Sequence, residues 1–383
     1  MKSDSTTSIL MLCGSLEPGR DGVGDYTRRL AKALNLSGVK TTMLALADKQ
    51  AETPAEEVQA DVPAIRLPYS ASLKQKMEQL AKLIQREQPE HVVLQYVPFS
   101  FHPKGLADSL LKALYHELNG LPIHWMCHEI WCGLSTQSGI KERLLGALQR
   151  RILRKYLRHA SSISTSNPDY QQRLSTITTL PVQLLPLFGN IPCSHALSAA
   201  ECKAVRDQIL PLENDNALIF LIFGRIAPDF PAQAFLQFLD QQLERAGRQG
   251  CIVSIGRIDR GEAAWQSLAK SPYSNLSFVR AGEMSEDEVD RVIQAVDFGI
   301  ATTPLEGIGK SGSSMAILER GKPMLGHFLQ KQTLGLCPNQ FAKGQVIDYR
   351  YLQPERLKTP LTYCPQDQLP LVAQKLRTSL GIQ

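Results

Sequence analysis

Four stretches of the 383-residue chain carry residue types that could act on a charged or polyhydroxylated substrate. The first runs from Gly14 to Asp25. Gly19, Gly22 and Gly24 let the backbone approach a ligand closely, and Asp25 can cap a following helix whose free amides favour an anion. The dinucleotide pattern Gly-x-Gly-x-x-Gly is not met, because Thr27 stands where the third glycine belongs. The same residues also read as a plain strand-to-helix turn. The second stretch is Trp125-Met-Cys-His128-Glu129-Ile-Trp131, a histidine and a carboxylate leaving the end of a strand, placed for hydrogen bonding or proton transfer. Third is Phe223-Gly224-Arg225, where the guanidinium can grip a phosphate bidentately. The fourth, Thr302 to Ser314, includes Glu306, Gly309, Lys310 and Ser311 and opens a helix with the composition of an anion cradle. It is not a triphosphatase loop, which would need a glycine at Pro304.

These residues must be positioned by alternating strands and helices. Short aliphatic runs alternate with helical periodicity, the pattern of parallel sheets wound with crossover helices. In the first series the strands are Ser8–Cys13, Lys40–Ala47, His91–Tyr96, Pro122–Cys127 and Ser161–Ser166. Their helices are Tyr26–Leu36, Leu73–Glu87, Leu106–Leu118 and Ile140–His159. In the second series the strands are Ala217–Phe223, Cys251–Gly256, Leu276–Arg280, Phe298–Thr302 and Pro323–Gly326. The helices there are Pro231–Ala246, Gly261–Lys270, Glu286–Ala295 and Ser311–Arg320. Pro186 to Ser194 breaks the pattern and reads as a linker. The fold class is therefore α/β. Two doubly wound, Rossmann-like domains, 1–188 and 189–366, are expected to face each other across a cleft. A helix within 367–383 is expected to cross back to the first domain. Ligands of such sheets sit beyond the carboxyl ends of the strands.

Hydrophobic residues make up 43% and charged residues 21% of the chain, which describes an ordinary globular protein and excludes disordered or collagen-like classes. The longest apolar run, Ala217 to Phe223, is far short of the roughly 20 residues that span a bilayer, and the start of the chain lacks a signal-peptide core. A cytoplasmic protein is expected. Eight scattered cysteines show no paired zinc-ligand spacing and read as buried thiols. The net charge of +5 is local: seven Lys or Arg fall between Lys141 and Ala160, against Glu142 alone.

In order and spacing these motifs resemble the nucleotide-sugar glycosyltransferases of the GT-B type, in particular the retaining enzymes of family four. The matching residues are Gly22-Val-Gly-Asp-Tyr-Thr-Arg-Arg-Leu-Ala, His128-Glu129, Ser161 to Ser166, Gly224-Arg225-Ile, Pro304-Leu-Glu306-Gly-Ile-Gly309 and Gly321-Lys322-Pro323. The resemblance implies a sugar transferred from a nucleotide-diphosphate donor to a glycan, glycolipid or other glycoconjugate acceptor. It also implies no metal and no cofactor besides the co-substrate, and retention of configuration. Carried over by position, Arg225 would bind the donor diphosphate, Glu306 would contact the donor sugar and His128 would act near the reacting carbon. Gly22, Val23, Gly24, Glu129, Gly309, Lys310 and Ser311 would complete substrate binding. The sequence departs from the family in three places, one being two extra residues between Gly307-Ile-Gly309 and Gly321-Lys322-Pro323, so that Glu319 does not inherit the second glutamate's role. No lysine follows Gly224-Arg225 before the next helix, and Ser314 stands where the second glutamate belongs. Lys310 is expected to supply the missing positive charge. Two alternatives keep the fold: a nucleotide-sugar epimerase, and a degenerate, non-catalytic relative acting as a binding or partner subunit.

The segment 141–158 has apolar residues at 144, 145, 148, 152, 153, 156 and 157 and a cationic opposite face. It reads either as a crossover helix packed on its own sheet or as a peripheral contact with the inner face of the cell membrane. Nucleic-acid binding is not expected, since one basic helix lacks a reader motif or an aromatic groove.

Overall fold

The computed structural model describes residues 7–135, 138–210, 217–258, 261–270, 273–329 and 333–382. Met1–Thr6 of the amino-terminal stretch, and Gln383 of the terminal segment, lie outside them. The chain divides into two compact units, Met1–Pro186 with Leu369–Gln383, and Leu187–Gln368.

Among the described residues the first unit holds β1 (Ser8–Cys13), β2 (Lys40–Asp48), β3 (Ala55–Gln59), β4 (Val62–Pro68), β5 (His91–Tyr96), β6 (Ile123–Cys127), β7 (Ser162–Thr165) and β8 (Val182–Leu184). Their order is β3-β4-β2-β1-β5-β6-β7-β8, with every pair parallel except β3 and β4. The central strand β1 is buried along its whole length, as a strand covered by helices on both faces must be. Capping is local: Ser72 and Gln75 close a reciprocal box at the start of the Leu73–Glu87 helix. The antiparallel β3–β4 pair was not expected. Pro63 and Pro68 make β4 look like a loop in sequence, and β3 is an exposed edge strand without apolar alternation. The helix over Leu369–Leu380 packs on this unit, where Arg377 donates to the Ser37 carbonyl at 3.3 Å.

The second unit holds β9 (Leu218–Phe223), β10 (Gly250–Ile255), β11 (Leu276–Gly282), β12 (Phe298–Ile300), β13 (Met324–Gly326) and β14 (Val346–Asp348). They form a wholly parallel sheet in the order β11-β10-β9-β12-β13-β14. Phe220 and Phe298 stack at 5.2 Å in its core. Strand β14, only three residues long, leaves no periodic signal in the sequence.

The stretch expected to be a linker is instead seated in the second unit. Gln340 donates to the Leu187 carbonyl at 2.8 Å, and a Cβ on Gly189 would meet the Ala316 backbone at 2.6 Å. Arg320 donates to the Pro192 carbonyl at 2.5 Å and pairs with Asp290, both side chains being almost fully buried. Asp290 in turn accepts from the Ser194 amide at 3.3 Å. Removing one member of such a pair strands the other charge in a dry site. Asp290→Ala is expected to cost about 3–5 kcal/mol, seen as a lowered transition of the second unit in calorimetry, while Glu355→Ala on its surface changes little.

Candidate functional site

In each unit the strand order reverses once, between β1 and β5 and between β9 and β12, and there the connections leave the carboxyl edge in opposite directions. The sequence-predicted residues gather at these two points.

In the first unit the loop after β1 leads into a helix over Gly22–Leu36, which begins a full turn earlier than the periodicity suggests. Gly22, Val23 and Gly24 therefore form its first turn. The cap is Asp21, not Asp25: Asp21 Oδ1 accepts from the Gly24 amide at 2.8 Å. Burial pushes the Asp21 carboxyl above its ordinary range. Asp25 lies inside the helix, accepting from the Gly19 amide at 3.0 Å and pairing with Arg28. The loop is braced from the second strand, where Asp48 accepts from the Leu16 amide at 3.0 Å and from Arg66 at 2.8 Å. Burial opposes the Asp48 charge, but Arg66 and the Gln50 and Leu16 amides outweigh it and hold the carboxyl below its usual range. This brace was not foreseen in the sequence, because Arg66 sits on the unrecognised strand β4.

Gly24 is required for a steric reason, since a Cβ there would lie 2.5 Å from the Ser15 carbonyl oxygen. A Cβ on Gly22 would meet only open space.

One turn on, Tyr26 packs edge-on against His128, with ring centroids 4.8 Å apart, so the helix start and the end of β6 share one surface. His128 is 8% exposed, and its Nε2 lies 2.7 Å from Gln95 Oε1. Burial lowers its pKa to about 3. The imidazole is thus neutral at pH 7, a hydrogen-bonding group rather than a cation. Glu129 is half-buried and lines a cavity of about 310 Å³ with Phe99, Trp131, Glu142 and Tyr170. Aromatic faces with a few carboxylates suit a polyhydroxylated ligand.

In the second unit Gly224 takes φ +85°, which turns the chain out of β9. The buried Thr302 hydroxyl donates to the Arg225 carbonyl at 3.0 Å and accepts from the Ala227 amide at 3.2 Å, fixing this turn against the end of β12. The Arg225 side chain is exposed. Glu306, Gly309 and Lys310 belong to a 3-10 turn over Leu305–Lys310. Glu306 accepts from the Leu329 amide at 3.0 Å, and Gly309 donates to the Gly335 carbonyl at 3.1 Å. Lys310 is exposed. Ser311 caps the helix over Gly312–Glu319 by accepting from the Ser314 amide at 3.2 Å. Ser314, at the place of the family's second glutamate, is buried in that first turn.

His327 was overlooked in the sequence although it directly follows β13. It is 3% exposed, and among the described residues neither ring nitrogen has a hydrogen-bond partner. Its ring lies 5.7 Å from that of Phe230. Burial holds it neutral against the pull of Asp229 and Glu306 nearby.

The ligand atoms of Cys193, Glu319 and Asp367 lie within 4.8 Å of one another. The set suits a cation poorly, because Arg320 donates to Cys193 Sγ at 2.7 Å and stands 3.9 Å from Glu319.

Two measurements follow from this geometry. Gly24→Ala is expected to lose about 1–3 kcal/mol of stability through the clash with Ser15, whereas Gly22→Ala is neutral or gains up to about 1 kcal/mol in a helical turn. Denaturant titrations of the two variants compare them directly. His128 and His124, the latter with its pKa lowered to about 4 by burial, stay neutral in the folded protein. Below pH about 6.5 the unfolded chain binds their protons and the folded chain does not. Stability is therefore full above pH 6.5 and falls as the pH drops toward 4. His128→Gln is expected to flatten that decline by up to one bound proton in the slope of unfolding free energy against pH.

The family profile of the glycosyl transferase 4-like domain matches residues 21–184. No curated protein matches the sequence. Among solved structures, HepE from Anabaena in complex with UDP and glucose is 14% identical, with a TM-score of 0.55 over 97% of this chain and 99% of that one. The catalytic domain of starch synthase IV from Arabidopsis thaliana, bound to ADP and acarbose, is 10% identical, with a TM-score of 0.60 over 98% and 99%. A glycosyltransferase from Rickettsia africae is 13% identical, with a TM-score of 0.55 over 98% and 89%. Across both Rossmann-like units the fold is the one these proteins share, and the matched profile covers the Gly22–Gly24 turn and His128. The glycosyl transferase 4-like profile thus accounts for residues 21–184, and the fold of the chain is that of the GT-B glycosyltransferases.

Proposed function

We propose that the protein transfers a sugar from a nucleotide-diphosphate-sugar to a glycan, glycolipid or other glycoconjugate acceptor, with retention and without a metal or other cofactor. The second unit is read as the donor domain and the first as the acceptor domain. A lipid-linked acceptor would be met at the inner face of the cell membrane. Among the described residues no helix is long and apolar enough to cross that membrane.

The observation that carries this reading is the pairing of two exposed cations with adjoining strand ends. Arg225 leaves β9 and Lys310 follows β12, at the point where the second sheet reverses its order. A diphosphate there would take bidentate contacts from Arg225 and a point charge from Lys310. The start of the helix over Gly312–Glu319, capped by Ser311 and preceded by the Gly309 turn, adds its positive dipole end. That HepE was solved with UDP and starch synthase IV with ADP supports a nucleoside diphosphate as the ligand.

Glu306 would contact the donor sugar. The acceptor hydroxyl oxygen would bond to the anomeric carbon as the carbon–oxygen bond to the diphosphate breaks, and the leaving phosphate would take the acceptor proton. Stabilising charge on that leaving group is then the main contribution of the protein. Neutral His128 would hold a sugar hydroxyl near the reacting carbon. Glu129 and the turn Gly22, Val23 and Gly24 would position the acceptor.

Thermal melts with UDP, ADP and GDP and their glucose conjugates test this. A ligand at a hundred times its dissociation constant adds about 2.7 kcal/mol. One nucleotide is expected to give a selective shift, and Arg225→Ala and Lys310→Ala each weaken it about ten- to hundredfold. His128→Ala is expected to keep donor binding and lose turnover. A folded wild-type protein that responds to no nucleotide would overturn the donor assignment in favour of the non-catalytic reading.

A further inference from the structure

The outer face of the helix over Ile140–Leu157 changes character along its length. Ile140, Leu144 and Leu148 are 79%, 64% and 52% exposed, and their four-residue spacing places them in one stripe. Continued by three- and four-residue steps, the stripe becomes Arg151, Lys155 and, just past the helix, Arg158, all exposed. This corrects the sequence reading of a single apolar face. Leu153, Tyr156 and Leu157 do pack inward with Gly146 and Gln149, while Leu144 and Leu148 point the other way.

Arg151, Arg154, Lys155 and Arg158 line a cavity of about 690 Å³ against loop 176–180. The helix connects the carboxyl end of β6 to the amino end of β7, and loop 176–180 leads into the amino end of β8. The basic cavity therefore lies at the opposite edge of the sheet from His128 and Gly22, where the transfer reaction has no use for it. Lys155 is bonded to Asp108 at 2.8 Å. Among the described residues the three arginines have no carboxylate partner, and Arg158 donates to His159 at 3.3 Å. Three guanidinium groups beside threonine hydroxyls form a site for phosphate esters.

We infer that this face docks on a bilayer containing anionic phospholipids, with Ile140, Leu144 and Leu148 entering the acyl boundary and Arg151, Arg154 and Arg158 holding headgroup phosphates. A soluble polyanion would be served by the cavity alone and would leave the adjoining apolar stripe in water. A bilayer uses both halves of one continuous helix face. The inference deepens the membrane part of the reading above, yet it stands apart from sugar transfer because the face shares no residue with the donor site.

Vesicle sedimentation of the full chain decides it, with phosphatidylcholine alone compared with phosphatidylcholine carrying a third phosphatidylglycerol. The wild type is expected to bind the anionic vesicles and to be released by high salt. Replacing all three arginines with glutamine should weaken partitioning by about fivefold per cation removed. Ile140→Ser with Leu144→Ser and Leu148→Ser should abolish binding at moderate salt. Both variants alter exposed side chains, and unchanged nucleotide-induced melting shifts would show that the donor unit is intact. Wild-type protein left in the supernatant with anionic vesicles would overturn the inference. So would equal binding by the arginine variant, or a melting shift with inorganic tripolyphosphate in the absence of any vesicle binding.

Discussion

A parallel strand covered by helices on both faces is mostly apolar and must pair every polar group it buries, and this constraint organises the whole molecule. Strand β1 is buried at every position, and β9 at every position but its last. Chemistry is excluded from the strand interiors and has to collect where the chain leaves the sheet. The edge opens at the two reversals of strand order, where neighbouring connections part.

The two edges are built differently. In the first unit the turn after β1 is held by charge: Asp48 and Arg66 brace its backbone from the strands alongside, and Asp21 closes the helix start. The histidine beside it is neutral because it is dry. In the second unit the turns are held by a hydroxyl and by backbone contacts, through Thr302 and the passage of Gly335 against Glu306. The side chains of Arg225 and Lys310 are left at the surface. A preformed surface of aromatic rings, a neutral imidazole and a few carboxylates suits an uncharged hydroxyl-bearing substrate, and exposed cations over fixed turns suit a phosphate group.

Much of this was legible in the sequence where one local signal was strong enough. The helix over Glu286–Ala295 was expected with those bounds, since Ser285 and Glu288 form a capping box and the apolar period is clean. The helix at Gly22 was misplaced because Asp21 and Asp25 are equally good caps in sequence, and the choice depends on the Ser15 carbonyl that only Gly24 can approach. Strand β4 was hidden by its prolines, and with it Arg66. His327 carried no signal beyond its place after a strand.

Composition and period, acting through neighbouring residues, determined the α/β class and the positions of most elements and of the loops that join them. The tertiary structure alone decided which residues meet. Tyr26 against His128, Arg66 on Asp48 and Gln340 on the former linker join residues 18 to 153 positions apart. Such contacts arise from burial and from the need to satisfy each buried polar group, which no local stretch of sequence records. The same distinction holds for the helix over Ile140–Leu157. Its amphipathic character is written in its sequence, but which apolar residues it hides was set by the sheet it packs against.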